Sequence, residues 1–216
     1  MSFFDGFLQP RPCPPVREQS WAWTTGRTEV PGIAQMDPLV VRADDCAVSF
    51  GPFEAYPNGF SVYVQCRLRR EPEPAAAALR NPLIRPRRRP EEAPEHPGLR
   101  WGLEYPDGRR GATTQLWLAA APSENGQGAL DDDLVYFQIT GSKWLEDGNR
   151  RWQLPFWVHP LPPAGRCRLH VSWESAGLAE SVIEFDGSPL RAAADRAVTL
   201  WPDTGFQALP PDVVSS

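Results

Sequence analysis

Two histidines, His159 and His170, are the residues of this 216-residue sequence best placed to do chemistry together. Both belong to RRWQLPFWVHPLPPAGRCRLHVSWES (150–175), in which two alternating runs flank a proline-rich bend. If PLPPAG is the bend of a hairpin, the register pairs His159 with Arg166 and places both histidines on one face, about two residue pairs apart. Such a pair could bind a metal or act in acid–base catalysis. Little else converges there, so the sequence favours two surface histidines.

The same register sorts the side chains of the predicted hairpin into two faces. On one face every pair is apolar: Val158 with Cys167, Phe156 with Leu169, Leu154 with Val171, and Trp152 with Trp173. The other face, with Trp117 from an earlier alternating run, supplies a candidate binding surface: Trp157, His159, Arg166, Arg168, His170 and Trp117. Trp157 beside Arg168 would suit a cation–π contact, and exposed Trp and Arg dominate binding energy at interfaces. The sequence favours the alternative, in which the N-terminal wrap, the C-terminal helix or the opposing sheet covers both tryptophans, because a wide N-terminal segment must pack somewhere.

Carboxylates and a basic tract offer three other chemical interpretations. Asp131–Asp133, with Glu124 and Asn125 nearby, could hold calcium, although their spacing does not match an EF-hand loop. RPRRRP (85–90) could bind phosphate, but three glutamates follow it closely and cancel its field. Four carboxylates near the end of the chain could supply a pair for glycoside hydrolysis: Glu174, Glu180, Glu184 and Asp186. A solvated acidic turn, a solvated linker and an exposed strand are the plainer interpretations.

The cysteines and the missing motifs argue against a metal or a cofactor. Cysteines at positions 13, 46, 66 and 167 contain no CxxC pair and no zinc-like spacing with the three histidines. We expect free thiols, with Cys66 and Cys167 buried on core faces. GxSxG, HExxH, P-loop and GxGxxG patterns are absent. The sequence therefore predicts neither a cofactor nor a catalytic residue.

Turn signals and alternation predict the elements that must position these residues. Asn58-Gly59 predicts a hairpin, whose second strand places Phe60, Val62, Val64, Cys66 and Leu68 on the core. Pro106-Asp107-Gly108 predicts another. Pro155 places its strand at a sheet edge or beside a bulge. One helix is predicted over 188–201, with Ser188 as N-cap and an apolar stripe that includes Leu190, Ala193, Ala194 and Val198.

These elements predict an all-β fold, an antiparallel β-sandwich or flattened jelly-roll-like barrel with one C-terminal α-helix. Residues 1–37 are expected to form an irregular N-terminal wrap, pinned partly by Phe3 and Phe4. A single sandwich domain spans 38–201, interrupted by a disordered insertion rich in Pro, Arg and Glu at 71–97. Residues 202–216 are expected to form a flexible tail.

Charge and composition limit the classes of partner and the location that we expect for this protein. The net charge is −5 and the pI about 5.3, which argues against general affinity for nucleic acid or anionic membranes. With no secretory signal and no long apolar run, the expected location is the cytoplasm. The sequence favours a non-catalytic module that binds another protein or acts in an assembly. A jelly-roll module for a carbohydrate or small molecule is the alternative, and a hydrolase using surface carboxylates comes third.

Overall fold

The computed structural model describes residues 2–4, 29–69, 98–113, 133–140, 144–146 and 150–200, and for 144–146 it describes the backbone alone. These residues form strands joined by turns, with one short helix. The strands are β1 (Glu29–Val30), β2 (Gly32–Ile33), β3 (Leu39–Arg42), β4 (Cys46–Tyr56), β5 (Gly59–Leu68), β6 (Arg100–Glu104), β7 (Arg110–Ala112), β8 (Tyr136–Ile139), β9 (Trp144–Glu146), β10 (Arg151–His159), β11 (Arg166–Trp173), β12 (Leu178–Asp186) and β13 (Val198–Thr199). The helix, α1, is Ser188–Ala194.

The strands form two main antiparallel sheets and a two-stranded ribbon. The large sheet has seven strands in the order β2-β4-β5-β10-β8, with β3 also on β4 and β9 also on β10. The small sheet has the order β12-β11-β6-β7, and the ribbon pairs β1 with β13. One core cluster contains side chains from both main sheets. The all-β, sandwich-like prediction is therefore confirmed, and within the described residues no sheet closes into a barrel.

Both predicted turns produce the expected hairpins. β4 pairs with β5 around Pro57-Asn58, and β6 pairs with β7 around Pro106-Asp107-Gly108. In β5 the predicted inward residues Phe60, Val62, Val64 and Cys66 are buried, and Leu68 packs against the core. The turn residues form the bend, and the alternation of apolar and polar residues then determines which face of each strand is buried.

The predicted hairpin of β10 and β11 is wrong. β10 pairs with β5 on one side and with β8 and β9 on the other, whereas β11 pairs with β12 and β6. Residues 160–165 thus carry the chain from the large sheet to the small one. The two apolar faces do meet, but across the sandwich, because alternation alone does not distinguish a neighbour in a sheet from one in the facing layer.

Pro155 therefore lies in a central strand and not at a sheet edge. Its carbonyl accepts a hydrogen bond from the Thr140 N–H at 3.1 Å, so the side of Pro155 that lacks an N–H faces β8 and β9. β9 pairs with residues 151–153 and β8 with residues 156–159, which leaves Pro155 between them. The sheet tolerates this proline because no ladder donor is needed at that position.

Trp101 of the small sheet lies at the centre of the core. Its ring makes edge-to-face contacts with Phe50, Phe137 and Phe156 of the large sheet, with centroids 5.2, 4.7 and 5.1 Å away. Three cysteines, Cys46, Cys66 and Cys167, are buried as free thiols, as predicted for the last two. Packed aromatic rings therefore join the two layers.

The predicted helix is shorter than its apolar stripe suggested. It ends at Ala194, and Val198 lies in β13 with its side chain exposed. Leu190, Ala193 and Ala194 are buried, as predicted. The predicted N-cap is wrong: Ser188 is the first helical residue and Gly187 is the N-cap, while Asp186 Oδ1, just before the helix, accepts from the Ser188 N–H at 2.9 Å.

Several sequence predictions fall outside the described residues, including the insertion 71–97, the tail 202–216 and most of 1–37. Within 29–37 the chain forms β1 and β2. Among the described helices none is long and apolar enough to cross a membrane.

Candidate functional site

The five described residues of the predicted binding surface do not lie on one face of the protein. Trp157 and His159 lie on the outer face of the large sheet, the side turned away from the core. Three others lie on the outer face of the small sheet: Arg166, Arg168 and His170. Trp117 lies outside the described residues. The surface is divided because β10 and β11 belong to different sheets, so a Trp157–Arg168 contact does not form.

Trp157 is not available to a partner, because its side chain is 1% exposed. Tyr56 covers it edge to face, with ring centroids 5.4 Å apart. Its indole also lies against Gly59, where a Cβ atom would come within 2.6 Å of the ring. The alternation correctly placed Trp157 opposite the core face. The favoured alternative, that Trp157 is covered, is confirmed, and its exposure as part of a binding surface is wrong.

His159 has a structural contact. Its Nδ1 lies 2.8 Å from the Asn58 carbonyl, so Nδ1–H donates and ties the end of β10 to the β4–β5 turn. Burial lowers the pKa of His159, and Arg109 lowers it further, while the hydrogen bond opposes them. The neutral ring therefore suits this position.

The arginines of β11 belong to a charge lattice on the small sheet. Arg168 lies 3.4 Å from both Glu104 and Glu184, and Arg166 lies 3.3 Å from Glu184. Arg110 of β7 is directly paired with Glu104. Opposite charges facing across strands stabilise a sheet by roughly 0.2–1 kcal/mol each. These charged residues occupy one half of the outer face of the small sheet.

The other half of that face holds a segment from far away in the sequence, Ser2–Phe4, which we call the docked segment. The Phe3 ring stacks on the His170 imidazole with centroids 3.8 Å apart and planes 9° from parallel. Gly102, directly paired with His170, leaves room for it, because a Cβ there would lie 2.5 Å from Phe3 Cε1. We call the receiving surface, formed by Arg100, Gly102, Ala112, His170 and Glu180, the docking face.

Glu180 holds the backbone of the docked segment. Its carboxylate accepts a hydrogen bond from the Phe3 N–H at 2.9 Å and another from the Ser2 hydroxyl. The Ser2 hydroxyl in turn accepts from the Phe4 N–H at 3.2 Å. A backbone N–H bound to a carboxylate is a charge-assisted contact that recognises main chain, whatever the side chain.

Phe4 is the anchor of the docked segment, since its side chain is 0% exposed and packs with Ala112. The Arg100 guanidinium covers its ring at 4.9 Å from the centroid. Ser172 Oγ at 3.1 Å and Glu174 Oε1 at 2.7 Å hold that guanidinium in place. The docking face therefore combines an aromatic stack, a cation–π contact and a main-chain acceptor.

His170 lies between two carboxylates beneath Phe3. Its Nε2 is 3.5 Å from Glu104 Oε2, and its Nδ1 is 3.9 Å from Glu180 Oε1. Neither nitrogen makes a hydrogen bond within the described part of the chain. Burial lowers the pKa of His170, Glu104 and Glu180 oppose that shift, and Arg168 adds to it. The docked arrangement thus favours the neutral imidazole.

The structure describes some of the other predicted sites and not others. The four carboxylates proposed for hydrolysis have structural partners: Glu174 with Arg100, Glu180 with Phe3, Glu184 with two arginines, and Asp186 with Ser188. Asp133 is described and exposed, whereas its predicted calcium partners and RPRRRP lie outside the described residues. No cluster of three His, Cys, Asp or Glu able to hold a metal is found in the described ranges.

Sequence reasoning named Phe3, Phe4 and Glu180 but did not bring them together. It missed Arg100, Gly102 and Ala112. A usable signal was the pair of small residues Gly102 and Ala112 in neighbouring strands, which leaves room for an aromatic ring. Phe3, whose ring fills that space, lies 99 residues before Gly102. Nothing in the sequence near either residue predicts their contact.

Comparison of the chain with protein-family models, with curated proteins and with solved structures finds no match.

Proposed function

We propose that this protein is a non-catalytic protein-binding module of an assembly, and that its docking face receives an extended segment with two adjacent aromatic residues. The observation that supports this proposal is the stack of Phe3 on His170 beside the Phe3 N–H bond to Glu180. Together they fix one side chain and the main chain of the same residue. This combination is the chemistry of peptide recognition.

Two features of the docking face suit repeated binding of a segment. Arg100 is already fixed by Ser172 and Glu174, so little side-chain freedom is lost when a ring slides beneath it. The contact is small, three residues long in the described part, which favours a reversible interaction.

The proposed location is the cytoplasm. Cys46, Cys66 and Cys167 are free thiols, which suits a reducing compartment.

The test uses a full-length chain carrying Phe3→Ala and Phe4→Ala, which vacates the docking face. We expect a fluorescent peptide with the sequence of residues 2–7, SFFDGF, to bind it saturably by fluorescence anisotropy. A peptide with both Phe replaced by Ala should not bind. Adding Glu180→Arg should abolish binding, because the main-chain acceptor becomes a cation, whereas Glu184→Arg on the same strand should not. Equal binding by both of these variants would contradict the proposal.

A polar ligand such as a glycan on the outer face of the large sheet is the second candidate. Gln65 and Gln153 are directly opposite each other there, as are Tyr63 and Pro155. Arg67 donates to Gln65 Oε1 at 2.8 Å and to Ser49 Oγ at 3.3 Å, which orients its guanidinium along the face. Planar amides beside an aromatic ring suit sugar hydroxyls. Glycan-array binding that is lost in Gln153→Ala and kept in Glu184→Ala would favour this function, and an array with no signal would remove it.

A further inference from the structure

The Ser2 hydroxyl links Glu180 to the backbone of the second aromatic residue of the docked segment. This hydroxyl donates to the Glu180 carboxylate and accepts a hydrogen bond from the Phe4 N–H at 3.2 Å. The same carboxylate accepts a hydrogen bond from the Phe3 N–H at 2.9 Å. Glu180 therefore binds Ser2 and Phe3 directly, and binds Phe4 through the serine hydroxyl.

The serine hydroxyl also orients the two aromatic rings. A bond from a serine oxygen to the N–H two residues later closes a tight local turn. Within this turn the Phe3 and Phe4 rings meet edge to face, with centroids 5.3 Å apart and planes at 87°. One ring can then lie flat on His170 while the other is buried against Ala112. A residue without a hydroxyl at the first position would leave this turn open.

The main-chain contact with Glu180 does not select a residue at the first position. Every residue except proline can supply the N–H that Phe3 donates. The hydroxyl of Ser2 is a side-chain donor to an ionised acceptor, and a bond of this kind is about twice as strong as one between neutral groups. Alanine has no such donor, and a cysteine thiol is a weak one. Selection at this position therefore depends on the contact between the hydroxyl and Glu180.

Carboxylates near the first position disfavour an anion there. The His170 imidazole lies between two of them, with Nδ1 3.9 Å from Glu180 and Nε2 3.5 Å from Glu104. Arg100 on the same face is bonded to Glu174 at 2.7 Å. An anionic residue in place of Ser2 would lack the hydroxyl proton and would lie against the charge of Glu180. The first position therefore requires a neutral donor.

We infer that Glu180 makes the docking face selective for an uncharged serine immediately before the two aromatic residues. The ligand of this face is then a Ser-Phe-Phe segment, in which the serine is read by Glu180, the first ring by His170 and the second ring by Ala112 and Arg100. This inference rests on the proposed function and adds the residue that determines its specificity.

Four matched peptides test this selectivity on the full-length Phe3→Ala, Phe4→Ala chain. They are SFFDGF, AFFDGF, CFFDGF and SFFDGF with a phosphoserine, each acetylated at the amino terminus and labelled at the carboxyl terminus. Fluorescence anisotropy should show at least about tenfold weaker binding of the alanine and cysteine peptides, the lower end for loss of a hydrogen bond to a charged group. The phosphoserine peptide should bind more weakly still. Equal affinity of the serine and alanine peptides overturns the inference.

Substitution of Glu180 in the same chain tests which residue reads the serine. Glu180→Gln should reduce the preference for serine over alanine to about threefold, because a neutral acceptor forms a bond of about half the strength. Glu180→Arg should reverse the order of the two phosphorylation states, so that the phosphoserine peptide binds more tightly than the serine peptide. The control Glu184→Arg should keep the original order. An unchanged preference in both Glu180 variants overturns the role of Glu180.

The same titrations separate this inference from the proposed function. Saturable binding of all four peptides with one affinity overturns the serine selectivity and leaves the docking function standing. Failure of every peptide to bind the vacated face, with circular dichroism showing a folded chain, overturns both.

Discussion

The indole rings of Trp152 and Trp173 pack against each other between the two sheets, with centroids 5.3 Å apart and planes inclined by 53°. Trp152 belongs to β10 of the large sheet and Trp173 to β11 of the small one, so their contact joins two layers. An aromatic pair of this kind contributes about 0.5–1.5 kcal/mol beyond the area it buries. β10 and β11, which are consecutive in sequence, thus stabilise the sandwich by packing against each other from opposite sheets, and not by pairing within one sheet.

A double-mutant cycle measures that contact. We expect Trp152→Leu and Trp173→Leu each to lower the free energy of unfolding by about 2–4 kcal/mol, since each removes a buried ring. The double variant should lose about 0.5–1.5 kcal/mol less than the sum of the single variants. Urea unfolding followed by circular dichroism gives these values, and strict additivity would contradict a direct contact.

The stability of the fold should fall as the pH drops below neutral. Burial lowers the pKa values of His159 and His170 in the folded protein, so the unfolded chain binds their protons first. The stabilisation from each neutral ring is present above the unfolded pKa of about 6.5 and is lost as the pH falls through the folded pKa. Urea unfolding at pH 7.5 and pH 5.5 measures the loss.

Substitution separates the two histidines. His170→Gln should reduce the loss of stability between these pH values and should also make the Phe3, Phe4 segment less sensitive to acid. His159→Gln should reduce the loss without affecting the docked segment. A loss of the same size in both variants and in wild type would show that neither histidine is responsible.

Gly32 is required where β2 meets the helix. A Cβ atom there would lie 1.8 Å from the Ala193 carbonyl oxygen, a backbone atom that a rotamer change does not move. We expect Gly32→Ala to destabilise the protein by about 3 kcal/mol, the upper end for overpacking.

The control for that substitution is Gly108→Ala. Gly108 has φ +92°, and a Cβ atom at this position would have nothing within 4 Å, so only the backbone conformation is affected. The expected cost is about 1–2 kcal/mol. Thermal unfolding of both variants gives the comparison, and a smaller effect at Gly32 would contradict the close packing of the helix on β2.

The buried thiols should be unreactive in the folded protein. Burial, together with the negative charges of Asp186 and Asp107, raises the pKa of Cys167 to about 12. In a Cys13→Ser background, which removes the one cysteine outside the described residues, Ellman's reagent at pH 8 should find no thiol. In urea it should find Cys46, Cys66 and Cys167. Rapid labelling of the native protein would contradict their burial.

The sequence was sufficient for features that local chemistry decides. The predicted hairpins form at residues 56–59 and 105–109, although the first turn lies at Pro57-Asn58, one residue before Asn58-Gly59. Alternation assigned Phe60, Leu154, Phe156 and Leu169 to the core. The preferences of turn residues and the two-residue alternation of a strand depend on a few neighbouring residues only. They therefore hold whatever the tertiary arrangement of the strands is.

Sequence reasoning failed where the answer depends on a distant partner. Two facing apolar strands look alike whether they share a sheet or lie in opposite layers, so the β10–β11 pairing was wrong. Trp157 is covered by Tyr56, and His170 by Phe3, across 101 and 167 residues of chain. No pattern within a strand encodes such contacts, and the docking face depends on several of them.

Residues 160–165 connect the large sheet to the small one. The chain segments before and after this loop therefore depend on each other for folding. A cut in this loop would leave β6 and β7 with the first fragment, while β11, β12 and the helix go with the second. Neither fragment would possess a complete small sheet, and the bond from Tyr105 Oη to the Pro160 carbonyl, 2.8 Å long, would remain on the first fragment alone. We therefore expect the halves to refold only together, with β11 reinserting beside β6, so that this protein can be split into a self-assembling pair.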